Sequence, residues 1–142
     1  MNKRISLSLA GTVIPLTLGA VIYLTSGSRT YINDFITRFG LILPRLDYPL
    51  LIRCYACDFL WAFALLSGLT LIYRDKDSST LIKVITASFI IALVMEGLQA
   101  IPSFPGTFDL WDITAELLAI LIAAAITILF ARRFNNEKET DS

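Results

Sequence analysis

EGLQAIPSFPGTFDLWDITAE, residues 96–116, joins two apolar runs, and its reading decides the fold. Before it, residues 81–100 read as an apolar helix that ends in Glu96 and Gln99. After it, residues 110–130 read as a second apolar helix that opens with Asp112 and Glu116. Between them, Pro102, Pro105 and Gly106 break the first helix and turn the chain. Asp109 stands where an N-cap is needed, and Asp112 lies in the first turn, where the helix dipole favours negative charge. The turn therefore gathers acidic side chains at the ends of two antiparallel apolar helices.

Two more runs have the same character, residues 5–24 and 50–73. A membrane-crossing helix needs about 20 mostly apolar residues, and all four runs supply them. The 142-residue chain is 56% hydrophobic, above the roughly 45–50% of soluble domains. These features predict an all-α fold: a four-helix polytopic transmembrane bundle forming one domain over residues 1–134. The polar segment 135–142 reads as a disordered cytoplasmic tail. A formal net charge of +0 argues against a nucleic-acid partner. The chain has no histidine, so the commonest general base and metal ligand is missing. Cys54 and Cys57 form a C-x-x-C, but no strand–helix pattern of a redox domain surrounds it. They read as small, weakly polar residues of a membrane helix.

The run at 5–24 follows Lys3 and Arg4 and contains Pro15, which membrane helices tolerate. It is longer than the ~7–15 apolar residues of a secretory signal, so it reads as a retained span. Tyr31, Ile32, Phe35, Ile36 and Phe39 recur at helical spacing, opposite Asp34, Thr37 and Arg38. They predict a short amphipathic helix, either lying in the membrane interface or packed on the bundle. Pro44 and Pro49 frame the turn into the second span, where Tyr55, Trp61 and Tyr73 read as interfacial aromatics. Ser78, Ser79 or Thr80 is expected to cap the third span, near whose start Lys83 can snorkel.

Placing both termini in the cytoplasm puts Lys3, Arg4, Arg74, Lys76, Lys83, Arg132, Arg133 and Lys138 inside. It leaves Arg29, Arg38, Arg45 and Arg53 outside. Eight basic residues against four favour this orientation. Asp58, Glu96, Gln99, Asp112 and Glu116 then share the outer leaflet, and they share one side even if the orientation is reversed.

An ionised acid at mid-membrane costs about 2.5–3.5 kcal/mol on insertion scales, so acids on facing helices must be paired, protonated or hydrated. Glu96 and Gln99 are three residues apart and share a face; Asp109, Asp112 and Glu116 form another stripe. Arg53 is the expected counter-charge, with Arg38 or Arg45 as alternatives from the loop. Two explanations fit the spacing: a binding or catalytic site, or a polar network that pins helix ends together.

Glu96-x-x-Gln99, a Pro105–Gly106 turn, then Asp112 with a polar residue four later resembles the VanZ-like membrane proteins. Their pattern is E-x-x-Q, a Pro-Gly-Arg-type turn, then D-x-x-x-N. Asp58, near the start of the second span, resembles that family's acid there. The resemblance covers residues 50–130 and implies a four-span envelope protein. The chain departs at Gly106, about where arginine is common, and at Glu116, where asparagine is usual. Phe59 and Ala62 occupy places where a basic residue and a histidine are frequent. Arg53 is the candidate to replace the missing charge.

The resulting expectation is a pocket of Asp58, Glu96, Gln99, Asp112, Glu116 and Arg53 that binds a polar head group in the outer leaflet of a bacterial inner membrane. A phospholipid or a lipid-linked cell-wall precursor fits that position. The residues require no cofactor, although oxygen ligands of this kind suit Mg²⁺, Ca²⁺ or Mn²⁺. The alternatives are a membrane-embedded enzyme using paired carboxylates as acid and base, a proton- or cation-coupled transporter, and a structural or assembly subunit.

Overall fold

The computed structural model describes residues 3–26, 31–40, 43–73, 78–101, 103 and 108–140. Five helices follow in order: α1 (Lys3–Thr25), α2 (Tyr31–Arg38), α3 (Leu50–Ile72), α4 (Ser78–Gln99) and α5 (Leu110–Thr140). Among the described residues, four helical stretches are long and apolar enough to cross a membrane. They are Ile5–Thr25, Leu50–Ile72, Ser79–Gln99 and Leu110–Phe130.

Helix α3 is the centre of the bundle. It packs along α1 on one side and α5 on the other, and α4 closes against α3 and α5. Small side chains make this possible. Ala62 of α3, Ala92 of α4 and Ala119, Ala123 and Ala124 of α5 are buried around Leu66, Val84 and Ile120. Lipid tails are as apolar as leucine, so close backbone approach and dispersion hold membrane helices together. Gly11 of α1 faces Ser67 of α3 so closely that a Cβ there would lie 3.0 Å from the serine Oγ. The outside of the bundle is equally apolar: Ile14 and Leu16, Ile90 and Val94, Leu118 and Leu121 are all exposed. A contiguous apolar exterior of this extent fits a lipid surround rather than water.

Several hydroxyls are satisfied inside their own helices. Ser88 Oγ, with no exposed surface, donates to the Val84 carbonyl at 2.9 Å, and Thr127 and Thr12 make the same bond one turn back. At the end of α1, Thr25 Oγ1 and Tyr48 Oη lie 2.8 Å apart and the Leu46 N–H donates to the Thr25 carbonyl. These contacts tie the loop before α3 to the end of α1.

Helix α2 stops where Gly40 takes a φ of 78°, a left-handed conformation that glycine adopts without penalty. Phe35 and Phe39 pack edge to face at 4.9 Å and remain 60% and 70% exposed. Among the described residues, α2 makes no extended contact with the other helices. Of the two arrangements open from sequence, the apolar face left uncovered is the one that suits a membrane surface.

Helix α5 runs ten residues beyond its apolar span, through the segment expected to be disordered. An established helix propagates cheaply, and residues 131–140 contain no proline or glycine to stop it. Helix α4 begins at Ser78, so Ser78, Ser79 and Thr80 lie within its first turn and its cap position, Asp77, is outside the described residues.

Candidate functional site

The ends of α4 and α5 meet the first half of α3, and the acids meet there. Glu96 lies in the last turn of α4 and Glu116 in the second turn of α5; each is 1% exposed. Gln99, one turn after Glu96, donates from Nε2 to Glu96 Oε1 at 3.0 Å. Trp61 of α3 donates from Nε1 to Glu116 Oε1 at 2.8 Å. The second oxygen of each glutamate, Oε2, is buried and has no hydrogen-bond partner. Buried polar groups are almost always satisfied, as the fully buried Ser88 hydroxyl is. The two glutamate oxygens depart from that rule, and they do so at the same place.

Asp58 and Asp112 complete the cluster. Asp58 lies one turn before Trp61 on the same face of α3, and Asp112 lies one turn before Glu116 on α5. Both are half-buried, so they form the accessible rim in front of the buried pair. Glu96 is within electrostatic reach of Glu116, Asp112 and Asp58, and Asp58 is within reach of Asp112 and Glu116. Tyr55, one turn before Asp58, is within electrostatic reach of Asp109 and Asp112.

Five of the six residues expected at the site are therefore brought together: Asp58, Glu96, Gln99, Asp112 and Glu116. Arg53 is not. It is exposed in the first turn of α3, and no carboxylate among the described residues pairs with it. Five residues separate it from Asp58, which places the two side chains about 140° apart around the helix. Arg38 and Arg45 are also exposed and without a carboxylate partner among the described residues. Asp109 serves as the N-cap of α5, its Oδ1 accepting the Trp111 N–H at 3.0 Å. Pro102, Pro105 and Gly106 lie outside the described residues.

Trp61 is the site residue that sequence reading placed elsewhere, as an interfacial aromatic. Its spacing three residues after Asp58 was the available signal. Burial of Glu116 makes the indole N–H structural: Trp61→Phe strands Glu116 Oε1. The expected cost is about 1–3 kcal/mol of stability, measured by unfolding in mixed detergent micelles. Removing both groups, as Trp61→Phe with Glu116→Leu, is expected to recover most of that loss.

Among the described residues, no three His, Cys, Asp or Glu side chains stand in metal-holding geometry. The two cysteines are free; Cys54 is exposed, and Cys57 Sγ lies 3.7 Å from the Gly19 carbonyl of α1. Beside the cluster, a groove of about 280 Å³ runs between α1 and α3. Pro15, Gly19, Ala20 and Tyr23 of α1 and Cys57 and Trp61 of α3 line it. Trp61 thus belongs to both: its ring walls the groove and its N–H reaches into the cluster.

Compared with protein-family models, curated proteins and solved structures, the chain matches none.

Proposed function

We propose that this multi-pass membrane protein binds a polar head group at the acidic cluster. Asp58 and Asp112 would form the rim, and Glu96, Gln99 and Glu116 the floor. The observation that carries the reading is the pair of buried, unpartnered Oε2 atoms on Glu96 and Glu116. A polar network whose only task was to hold helix ends together would be expected to close its own hydrogen bonds, as Ser88 and Thr127 do. Carboxylates left open beside other carboxylates are costly in a membrane, and such costs are usually tied to function.

The likeness to VanZ-like proteins supports an envelope setting in a bacterial inner membrane, and the bias of basic residues supports both termini cytoplasmic and the cluster in the outer leaflet. The head group would then belong to a phospholipid or a lipid-linked wall precursor, with a link to glycopeptide resistance following from the same likeness. An alkaline phosphatase fused after Ser142 is expected to stay inactive in that orientation; an active fusion would reverse it.

Native mass spectrometry of the protein extracted from membranes tests the binding reading. A lipid retained by the native chain and lost in both Glu96→Gln and Asp112→Asn is the expected result. A native chain that carries nothing, with variants that misassemble, would reduce the acids to helix-end contacts.

A further inference from the structure

The cluster's chemistry narrows what it can hold. Four carboxyl groups lie within electrostatic reach of one another, and no cation among the described residues pairs with them. Two of their oxygens are buried acceptors with no donor. A phosphate brought here would meet only like charge. A divalent ion would lack a three-residue ligand set among the described residues. A primary ammonium meets neither obstacle. It carries three N–H donors and no acceptor, and ionised carboxylates are acceptors only. Such bonds are charge-assisted and short. Trp61, whose N–H reaches Glu116, brings an aromatic ring to the cluster, and aromatic faces also attract an ammonium.

The groove between α1 and α3 supplies the other half. Its lining is mostly apolar, and it meets the cluster at Trp61, which lines the groove and donates to Glu116. At about 280 Å³ it is near the lower end of small-ligand pockets, too small for a whole lipid and suited to part of one chain. We infer that the ligand is a lipid with a primary ammonium head group. Its chain lies in the α1–α3 groove, and its ammonium binds Asp58 and Asp112 in front of Glu96 and Glu116. This inference rests on the head-group reading above and assigns the ligand's charge and its route in.

The test uses the full chain equilibrated with vesicles of equal parts phosphatidylethanolamine, phosphatidylcholine and phosphatidylglycerol, followed by native mass spectrometry. Phosphatidylethanolamine is expected to be retained about tenfold over the other two, the worth of one charge-assisted hydrogen bond. Asp58→Asn with Asp112→Asn is expected to abolish the preference. Ala20→Leu, at an exposed groove position, is expected to lower retention of phosphatidylethanolamine without disturbing the core. Equal retention of phosphatidylcholine, or a preference for phosphatidylglycerol, would overturn the ammonium assignment; if that retention still required Glu96, the head-group reading would survive. Full retention by Ala20→Leu would overturn the groove. Retention of no lipid by the native chain would overturn both readings.

Discussion

Replacing both buried glutamates by their amides, Glu96→Gln with Glu116→Gln, is expected to leave a folded bundle that has lost its ligand. Both glutamates are 1% exposed, and each has one oxygen without a partner. The substitution keeps the shape and keeps an acceptor for the Trp61 and Gln99 donors at 2.8 and 3.0 Å. It removes the cost of holding two carboxylates away from water. Helicity should match the native chain, and resistance to unfolding in mixed micelles should equal or exceed it. Binding should move the other way. A charge several ångströms from a cationic ligand, at an effective permittivity near 20, contributes about 2 kcal/mol. Losing two such charges should weaken retention of an amine-headed lipid on the order of a thousandfold. A variant that becomes more stable and stops binding would mark the glutamates as functional. A variant that falls apart while native binding cannot be detected would mark them as structural.

Gly11→Leu is expected to separate α1 from α3. A Cβ at position 11 would sit 3.0 Å from Ser67 Oγ and 3.3 Å from Ser67 Cβ, and a leucine carries three more carbons into that space. Neither helix can yield locally, because Ser67 is buried beside the core residue Leu66. Overpacking of this kind costs about 1–3 kcal/mol. The α1–α3 groove is formed by the same two helices, so lipid retention should fall together with stability. Two glycines serve as controls. A Cβ at Gly19 would meet Leu60 at an ordinary 3.7 Å, and at Gly97 it would meet nothing within 4 Å. Gly19→Ala and Gly97→Ala should therefore be neutral, or slightly stabilising through the better helix propensity of alanine. Unfolding curves for the three variants in the same micelles decide the matter. Equal behaviour of all three would show that α1 does not depend on close packing at Gly11.

The contrast between these two predictions follows from how the site is built. The glutamates lie where α3, α4 and α5 meet, whereas Gly11 lies at the contact between α1 and α3. The cluster can lose charge without losing its frame, and the frame can fail without any change in the cluster. Trp61 is the residue at which the two are joined, through its ring in the groove and its N–H on Glu116.

Much of this was legible in the sequence. Four apolar runs near 20 residues determined four spans, because water is absent from a bilayer core and a helix satisfies its own backbone there. Tyr31 to Phe39 showed helical spacing and became α2. Asp109 was readable as a cap and is one. The grouping of Asp58, Glu96, Gln99, Asp112 and Glu116 followed from alternation of the spans, which places one end of each helix on one side.

Only the tertiary structure decided which acids are buried and which half-buried, and which donor serves each glutamate. The reason is that these spans are apolar on every side. A soluble helix shows its buried face by a polar opposite face, but a lipid-facing helix offers no such contrast. Rotation about each axis is then set by where small residues let helices approach, at Gly11, Ala62, Ala92, Ala119 and Ala123. That rotation turned Trp61 onto Glu116 and left Arg53 exposed, with no carboxylate partner among the described residues.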